Sequence, residues 1–211
     1  MFTGIVQGVA TVARREDRPG LVTLTLQFPP GLTAGLEIGA SVACKGTCLT
    51  VTAVDGDQAR FDVMAQTLAL TTLGALREGS RLNVERSAKS GVEIGGHVLS
   101  GHGDSQLRVA ALRRPENNRV LRFAVPAPWM NYLFAKGFVA LDGASLTIAD
   151  AARERDGSGW IEVWLIPETL RMTTFGELAE GDAVNLEIDR QTQVIVDTVE
   201  RVLAQRLPAA G

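Results

Sequence analysis

Residues 67–85 read TLALTTLGALREGSRLNVE and residues 169–187 read TLRMTTFGELAEGDAVNLE, with ten of the nineteen positions identical. A second block agrees at a separation of 97 (143 − 46), where Gly46-Thr47-Cys48-Leu49-Thr50-Val51 matches Gly143-Ala144-Ser145-Leu146-Thr147-Ile148. The chain therefore carries one structural unit twice, and any fold proposed for it must be built from two copies of one smaller fold. The later separation is 102 (169 − 67), so the second copy holds about five extra residues, expected as a longer hairpin loop in the polar stretch Ala152–Gly159.

Each copy reads as β structure. Leu21–Phe28, Ser41–Val54, Arg60–Met64 and Arg81–Glu85 are short, rich in Val, Thr, Leu and Ile, and bounded by Gly, Pro or Asp. Strands at that spacing suit a sandwich or a barrel rather than βαβ units. A linker is expected over residues 86–96, ending in Gly95-Gly96. The tail differs: from Gln191 to Leu207 there is no Gly or Pro, and Ile195, Val199, Val202 and Leu203 form one apolar stripe at helical spacing before Pro208. That stripe must find cover on its own barrels or on another subunit, and the second is favoured.

The net charge of −3 and the lack of a dense run of Lys or Arg argue against nucleic acid as a partner. No apolar run is long enough for a membrane-spanning helix. The first residues lack the basic head and apolar core of an export signal, and two cysteines are too few for a disulfide framework. A reducing cytoplasm is the expected location. Cys44, Cys48, His97 and His102 do not have zinc-site spacing, since 48 residues separate Cys48 from His97. No metal or other cofactor is expected.

Six segments in order, MFTGIVQG, GTCLTVTAVDG, EIGGHVLSGH, KGFVALDGASLTI, IPETLRMTTFGEL and VNLEIDRQTQVIVDTVERVL, resemble the riboflavin synthase family over essentially the whole chain. The resemblance implies an all-β chain of tandem duplicated six-stranded Greek-key β-barrels, at residues 1–90 and 97–189, followed by an oligomerising C-terminal α-helix at 191–207. It implies a homotrimer and one 6,7-dimethyl-8-ribityllumazine per barrel, two per active site, between the N-terminal barrel of one subunit and the C-terminal barrel of the next. The implied reaction is a dismutation to riboflavin and 5-amino-6-(D-ribitylamino)uracil. A lumazine synthase is a further candidate partner. Two positions depart from the family: Lys45 stands where Asn is common, and Gly103 where Val or Ile is usual.

Groups shared by the copies suit binding, and groups that diverge suit the separate roles of donor and acceptor. Thr50 and Thr147 agree, and Thr3 is matched by Ser100; such hydroxyls can hydrogen-bond a flat ring or a ribityl chain. Gly4-Ile5-Val6 and Gly101-His102-Gly103 offer backbone that can approach a ring edge. Divergence singles out Cys48 against Ser145, His102 against Ile5, and Lys45 against Asp142. His102 has the side chain best suited to general-base work, and Cys48 could be a nucleophile or polar contact. By resemblance the catalytic set is Cys48, His102, Phe2, Asp142 and Asp189. Also by resemblance, Ser41, Leu49, Leu146, Lys136, Asp62-Val63-Met64-Ala65-Gln66-Thr67 and Trp164-Leu165-Ile166-Pro167-Glu168-Thr169 line the two pockets. His97 has no counterpart in the first copy and is expected to be structural, as is Cys44. A non-catalytic lumazine- or flavin-binding protein of the same fold is the competing reading; relatives of that kind typically replace the threonine and lose the histidine that stand here as Thr3 and His102.

Overall fold

The computed structural model describes residues 1–206; the expected helix end at Leu207 and stop at Pro208 lie outside them. The first copy forms β1 (Gly8–Arg18), β2 (Leu21–Gln27), β3 (Ser41–Cys44), β4 (Thr47–Asp55), β5 (Gln58–Met64) and β6 (Arg81–Arg86), with a short helix α1 (Ala65–Leu70) after β5. The second repeats the series as β7 (Ser105–Arg113), β8 (Arg119–Val125), β9 (Phe138–Leu141), β10 (Ala144–Arg153), β11 (Gly159–Leu165), α2 (Pro167–Met172) and β12 (Ala183–Ile188). Both copies close into antiparallel barrels with the same neighbour order, β1-β2-β5-β4-β3-β6 and β7-β8-β11-β10-β9-β12. Closure leaves no free sheet edge.

The duplication extends to irregularities. Register shifts occur at Val12/Arg14 and Val51/Ala53 in the first barrel, and at Val109/Ala111 and Ile148/Asp150 in the second, each displaced by 97. Bulges bend and twist a strand locally, so repeating them repeats the barrel's curvature. The extra residues of the second copy fall in the β10–β11 hairpin, where residues 153–159 replace Gly56-Asp57: three lengthen the loop, Glu154–Ser158, and Arg153 and Gly159 extend the strands.

Ser41–Val54 is not one strand. Lys45 and Gly46 both have positive φ (48° and 77°) and turn the chain as a two-residue hairpin; Asp142 and Gly143 (43° and 82°) do the same in the second copy. Two successive positive-φ residues give the turn whose twist matches that of the flanking strands.

Alternation puts Leu24, Leu26, Phe61 and Leu82 inside the first barrel and Leu121, Phe123, Ile161 and Leu186 inside the second. A smaller apolar cluster of Phe2, Ala43, Leu99 and Ala140 lies apart from both cores. Helix α3 (Arg190–Arg206) buries none of its residues. It meets the second barrel through polar contacts, Tyr132 Oη donating to Asp197 (2.6 Å) and Asn131 Nδ2 to Glu200 (3.0 Å). Its apolar stripe faces outward, with Ile195 64% and Val199 52% exposed. Among the described residues no helix is long and apolar enough to cross a membrane.

Candidate active sites

Two short arms precede the barrels, and each is anchored to its own copy but laid across the other. In the first, the Thr3 amide (2.6 Å) and hydroxyl (2.8 Å) and the Gly4 amide (3.0 Å) donate to the Glu85 carboxylate. In the second, the Ser100 amide and hydroxyl (2.7 Å each) and the Gly101 amide (3.1 Å) donate to Glu187. Burial drives both carboxyl pKa values up, and these donors oppose it. The arm carbonyls then cross over: Gly4 accepts from the Ser145 amide (2.8 Å) and Gly101 from the Cys48 amide (2.7 Å). Phe2 and Leu99 pair with one another where the arms pass. Only glycine permits the crossing, because φ is positive at Gly4 and Gly101 and a Cβ there would lie 2.5 Å from Ser145 Cβ or 2.7 Å from Cys48 Cβ.

The crossing brings Cys48 and the Gly101-His102-Gly103 arm to one face of the first barrel. Cys48 and Thr50 point outward on β4 while Leu49 points in; Asp62 and Met64 point outward on β5 while Val63 points in. Ser41 is the cross-strand partner of Thr50. Asp62 accepts a 2.6 Å bond from Thr23 Oγ1. Ala65, Gln66 and Thr67 form the start of α1. His102 is exposed. A Cβ at Gly103 would meet nothing closer than 3.6 Å, so the backbone there does not require glycine for lack of space at Cβ.

The second face is its counterpart. A cavity of about 290 Å³ is lined by Gly4, Ile5, Val6, Ser145, Leu146, Glu168 and Thr169. Thr147, Trp164 and Ile166 are exposed, whereas Leu165 is in the barrel core; Pro167 opens α2. Lys136 is exposed and bonds through its amide to the Ile148 carbonyl (2.8 Å).

The faces differ in one further contact. His97 Nδ1 lies 2.6 Å from Ser145 Oγ, and its ring stacks on Phe138 at 5.3 Å between centroids. Among the described residues Nε2 is buried without a partner. Burial lowers the His97 pKa, and the Asp189 charge pulls the other way. Desolvation pushes the Asp189 carboxyl up, but bonds from Thr192 and Gln191 at the start of α3, with His97 nearby, hold it below the ordinary value.

The lumazine binding domain model matches residues 3–87 and again 100–189. A riboflavin synthase of Escherichia coli (strain K12) is 48% identical over 207 residues, covering 98% of this chain and 95% of that one. One from Mycobacterium tuberculosis (strain ATCC 25618 / H37Rv) is 42% identical over 205 residues, covering 96% and 98%. The chain belongs to the riboflavin synthase family. Its fold is also that of LumP, whose crystal structure with 6,7-dimethyl-8-(1′-D-ribityl) lumazine superposes with a TM-score of 0.78, over 90% of this chain and all of that one, at 23% identity.

Within that family frame, Leu49, Val63 and Leu165 turn into the barrel cores rather than line a pocket, and two residues of the expected catalytic set, Asp142 and Phe2, also sit away from open surface. Asp142 is fully buried where the hairpin tips of the two barrels meet, so it is not an accessible catalytic group. Its Oδ2 is 2.9 Å from Lys45 Nζ, and its Oδ1 accepts from the Asn185 amide (2.8 Å). Phe2 is 2% exposed and lies against Gly101 and Cys48, supporting the face from below. The Thr3 hydroxyl is committed to Glu85. Sequence reasoning missed Glu85, Glu187, Asn83, Asn185 and the His97–Ser145 contact. The first four were available as polar identities between the copies, at strand positions where apolar residues predominate.

Proposed function

We propose that this member of the family is a riboflavin synthase, a transferase that moves a four-carbon unit between two molecules of 6,7-dimethyl-8-ribityllumazine and yields riboflavin and 5-amino-6-(D-ribitylamino)uracil. The observation that carries the reading is the pair of crossed, near-equivalent faces at Cys48 and Ser145, on a chain with full-length similarity to riboflavin synthases. A reaction whose donor and acceptor are the same compound needs two like sites with unlike reactive groups. Holding the partners in reacting geometry can lower the barrier by roughly 7–11 kcal/mol. The electron-poor ring accepts the charge left by a 7-methyl proton, so the substrate serves as its own electron sink.

In this reading Thr50 and Thr147 offer hydroxyls to the ligands, and Trp164, Ile166 and Lys136 border the second. His102 moves a proton at the first face, where Cys48 lies against the same arm; Ser145, in contact with His97, is its polar counterpart at the second. The exposed stripe of α3 supports assembly into a homotrimer in which one subunit's first face meets a neighbour's second. Both cysteines are free, which agrees with a cytoplasmic setting.

The test is to incubate the purified protein with the lumazine alone. Riboflavin at half the molar amount of lumazine consumed is the expected result. Tight binding without riboflavin would make it a chromophore-binding protein, and the absence of both binding and turnover would refute the reading.

A further inference from the structure

The duplication supplies an internal control for the arm that carries His102. Both arms are held by a carboxylate of their own copy, Glu85 or Glu187, and both pass a carbonyl to the opposite barrel. Both are fixed again further along: Gln7 Oε1 accepts from the Arg86 amide (2.9 Å), and its counterpart Asp104 (104 − 7 = 97) accepts from the Ile188 amide (2.8 Å). The second arm then has a contact that the first lacks. Arg190, the first residue of α3, donates Nη1 to Asp104 Oδ1 (2.8 Å) and Nη2 to the His102 carbonyl (2.6 Å). Nη1 also reaches Gln193 Oε1 (2.6 Å).

The counterpart of Arg190 in the first copy is Ala88 (190 − 102), and the counterpart of His102 is Ile5. The guanidinium clamp is therefore confined to the arm with the imidazole. A planar fork that engages a carboxylate and a carbonyl together sets orientation in a way that a single point charge does not. The pair is only partly buried, with side-chain exposures of 34% and 11%. Ion pairs with a solvent-accessible partner contribute little to stability, so orientation is the larger effect.

We propose that Arg190 is a positioning residue for His102, tying the reacting arm to the first turn of α3 so that the imidazole is held in a set place beside Cys48. The inference rests on the reading that His102 takes part in the four-carbon transfer. It also makes the helix that carries the assembly stripe part of the frame of the site.

The experiment compares Arg190→Gln, Arg190→Lys, His102→Gln and the double variant Arg190→Gln/His102→Gln. It measures kcat and KM for riboflavin formation, lumazine affinity by fluorescence titration, and mass by sedimentation. Arg190→Gln should lower kcat roughly 10- to 100-fold while affinity and mass stay unchanged, and Arg190→Lys should recover part of the loss. In the His102→Gln background the same change should cost less than about twofold, because the group being positioned is already gone. An equal loss in both backgrounds would overturn the proposal, as would an unaltered kcat in Arg190→Gln when His102→Gln is slow. A lowered mass, with kcat restored at protein concentrations that reassemble the variant, would assign Arg190 to assembly instead and also overturn it. If His102→Gln itself turns over normally, the reading of His102 falls first and the proposal falls with it.

Discussion

Between Phe138 and Ser145 the His97 ring is taken out of water, and burial holds its pKa below the ordinary 6.5 despite the charge of Asp189. The folded protein thus prefers the neutral ring, while the unfolded chain takes up its proton near that ordinary value. The contribution to stability is present above about pH 6.5 and is lost as pH falls through the lower folded value. Glu85 and Glu187 act in the opposite sense. Their raised folded values mean a contribution fully present below the ordinary 4.5 and lost as pH rises. The difference between proteins isolates the histidine: the melting temperature of the unsubstituted protein should fall relative to that of His97→Gln as pH drops from 7 to 5. Parallel curves would show that His97 binds its proton equally well in the folded and unfolded chains. Cys44 illustrates the contrasting case of a fully buried thiol whose pKa is pushed up by burial, as expected for a core side chain.

At the scale of elements, the paired hairpins are where local sequence and tertiary contact meet. A Cβ on Gly46 would lie 2.7 Å from the Gly143 amide nitrogen, and φ there is 77°. Gly46→Ala should therefore destabilise the protein by roughly 2–4 kcal/mol in urea unfolding, combining backbone strain with a backbone clash. A loss below about 0.5 kcal/mol would mean that the tips can separate freely. Reading Ser41–Val54 as one strand failed because Lys45-Gly46 lacks the Asn or Asp that usually marks such a turn. Helix α3 was legible from its 3.6-residue period, and its uncovered stripe yields another test. Val199→Glu, at a 52% exposed position, should lower the sedimentation mass and leave the melting of a single chain little changed. Loss of the fold with no change in mass would show that the stripe packs within the chain.

For the whole molecule, the two barrels exchange hydrogen bonds as well as arms. Asn83 Nδ2 donates to the Asp142 carbonyl (3.1 Å) and its Oδ1 accepts from the Thr174 amide (2.8 Å); Asn185 does the same to the Lys45 carbonyl (2.9 Å) and from the Thr72 amide (2.7 Å). At the centre, Lys45 and Asp142 form the ion pair that breaks this symmetry. Burial raises the Asp142 pKa, and the Lys45 charge opposes it. Asp142→Asn would strand the ammonium and should cost about 3–5 kcal/mol, whereas Lys45→Asn/Asp142→Asn together should cost less, since neither leaves an unpaired charge. Equal costs for the two, measured by urea denaturation, would mean that the charges do not interact across the junction.

The duplication, the β character of each copy, the helical tail and the divergence of Cys48 from Ser145 and of His102 from Ile5 were present in the linear pattern, because repeats and apolar periods are local properties that survive without coordinates; the wider set of pocket residues came from resemblance to the family. The exchange of arms was not. Gly4 serves Ser145 and Gly101 serves Cys48 through single backbone bonds across the two barrels, and the glycines such a crossing requires do not by themselves say which strand they cross. The same holds for Asp142, whose divergence from Lys45 suggested reactivity. Only the packing of two hairpin tips against each other turned that divergence into an ion pair, since complementary charges can face one another at a junction only after the fold has brought both copies to it.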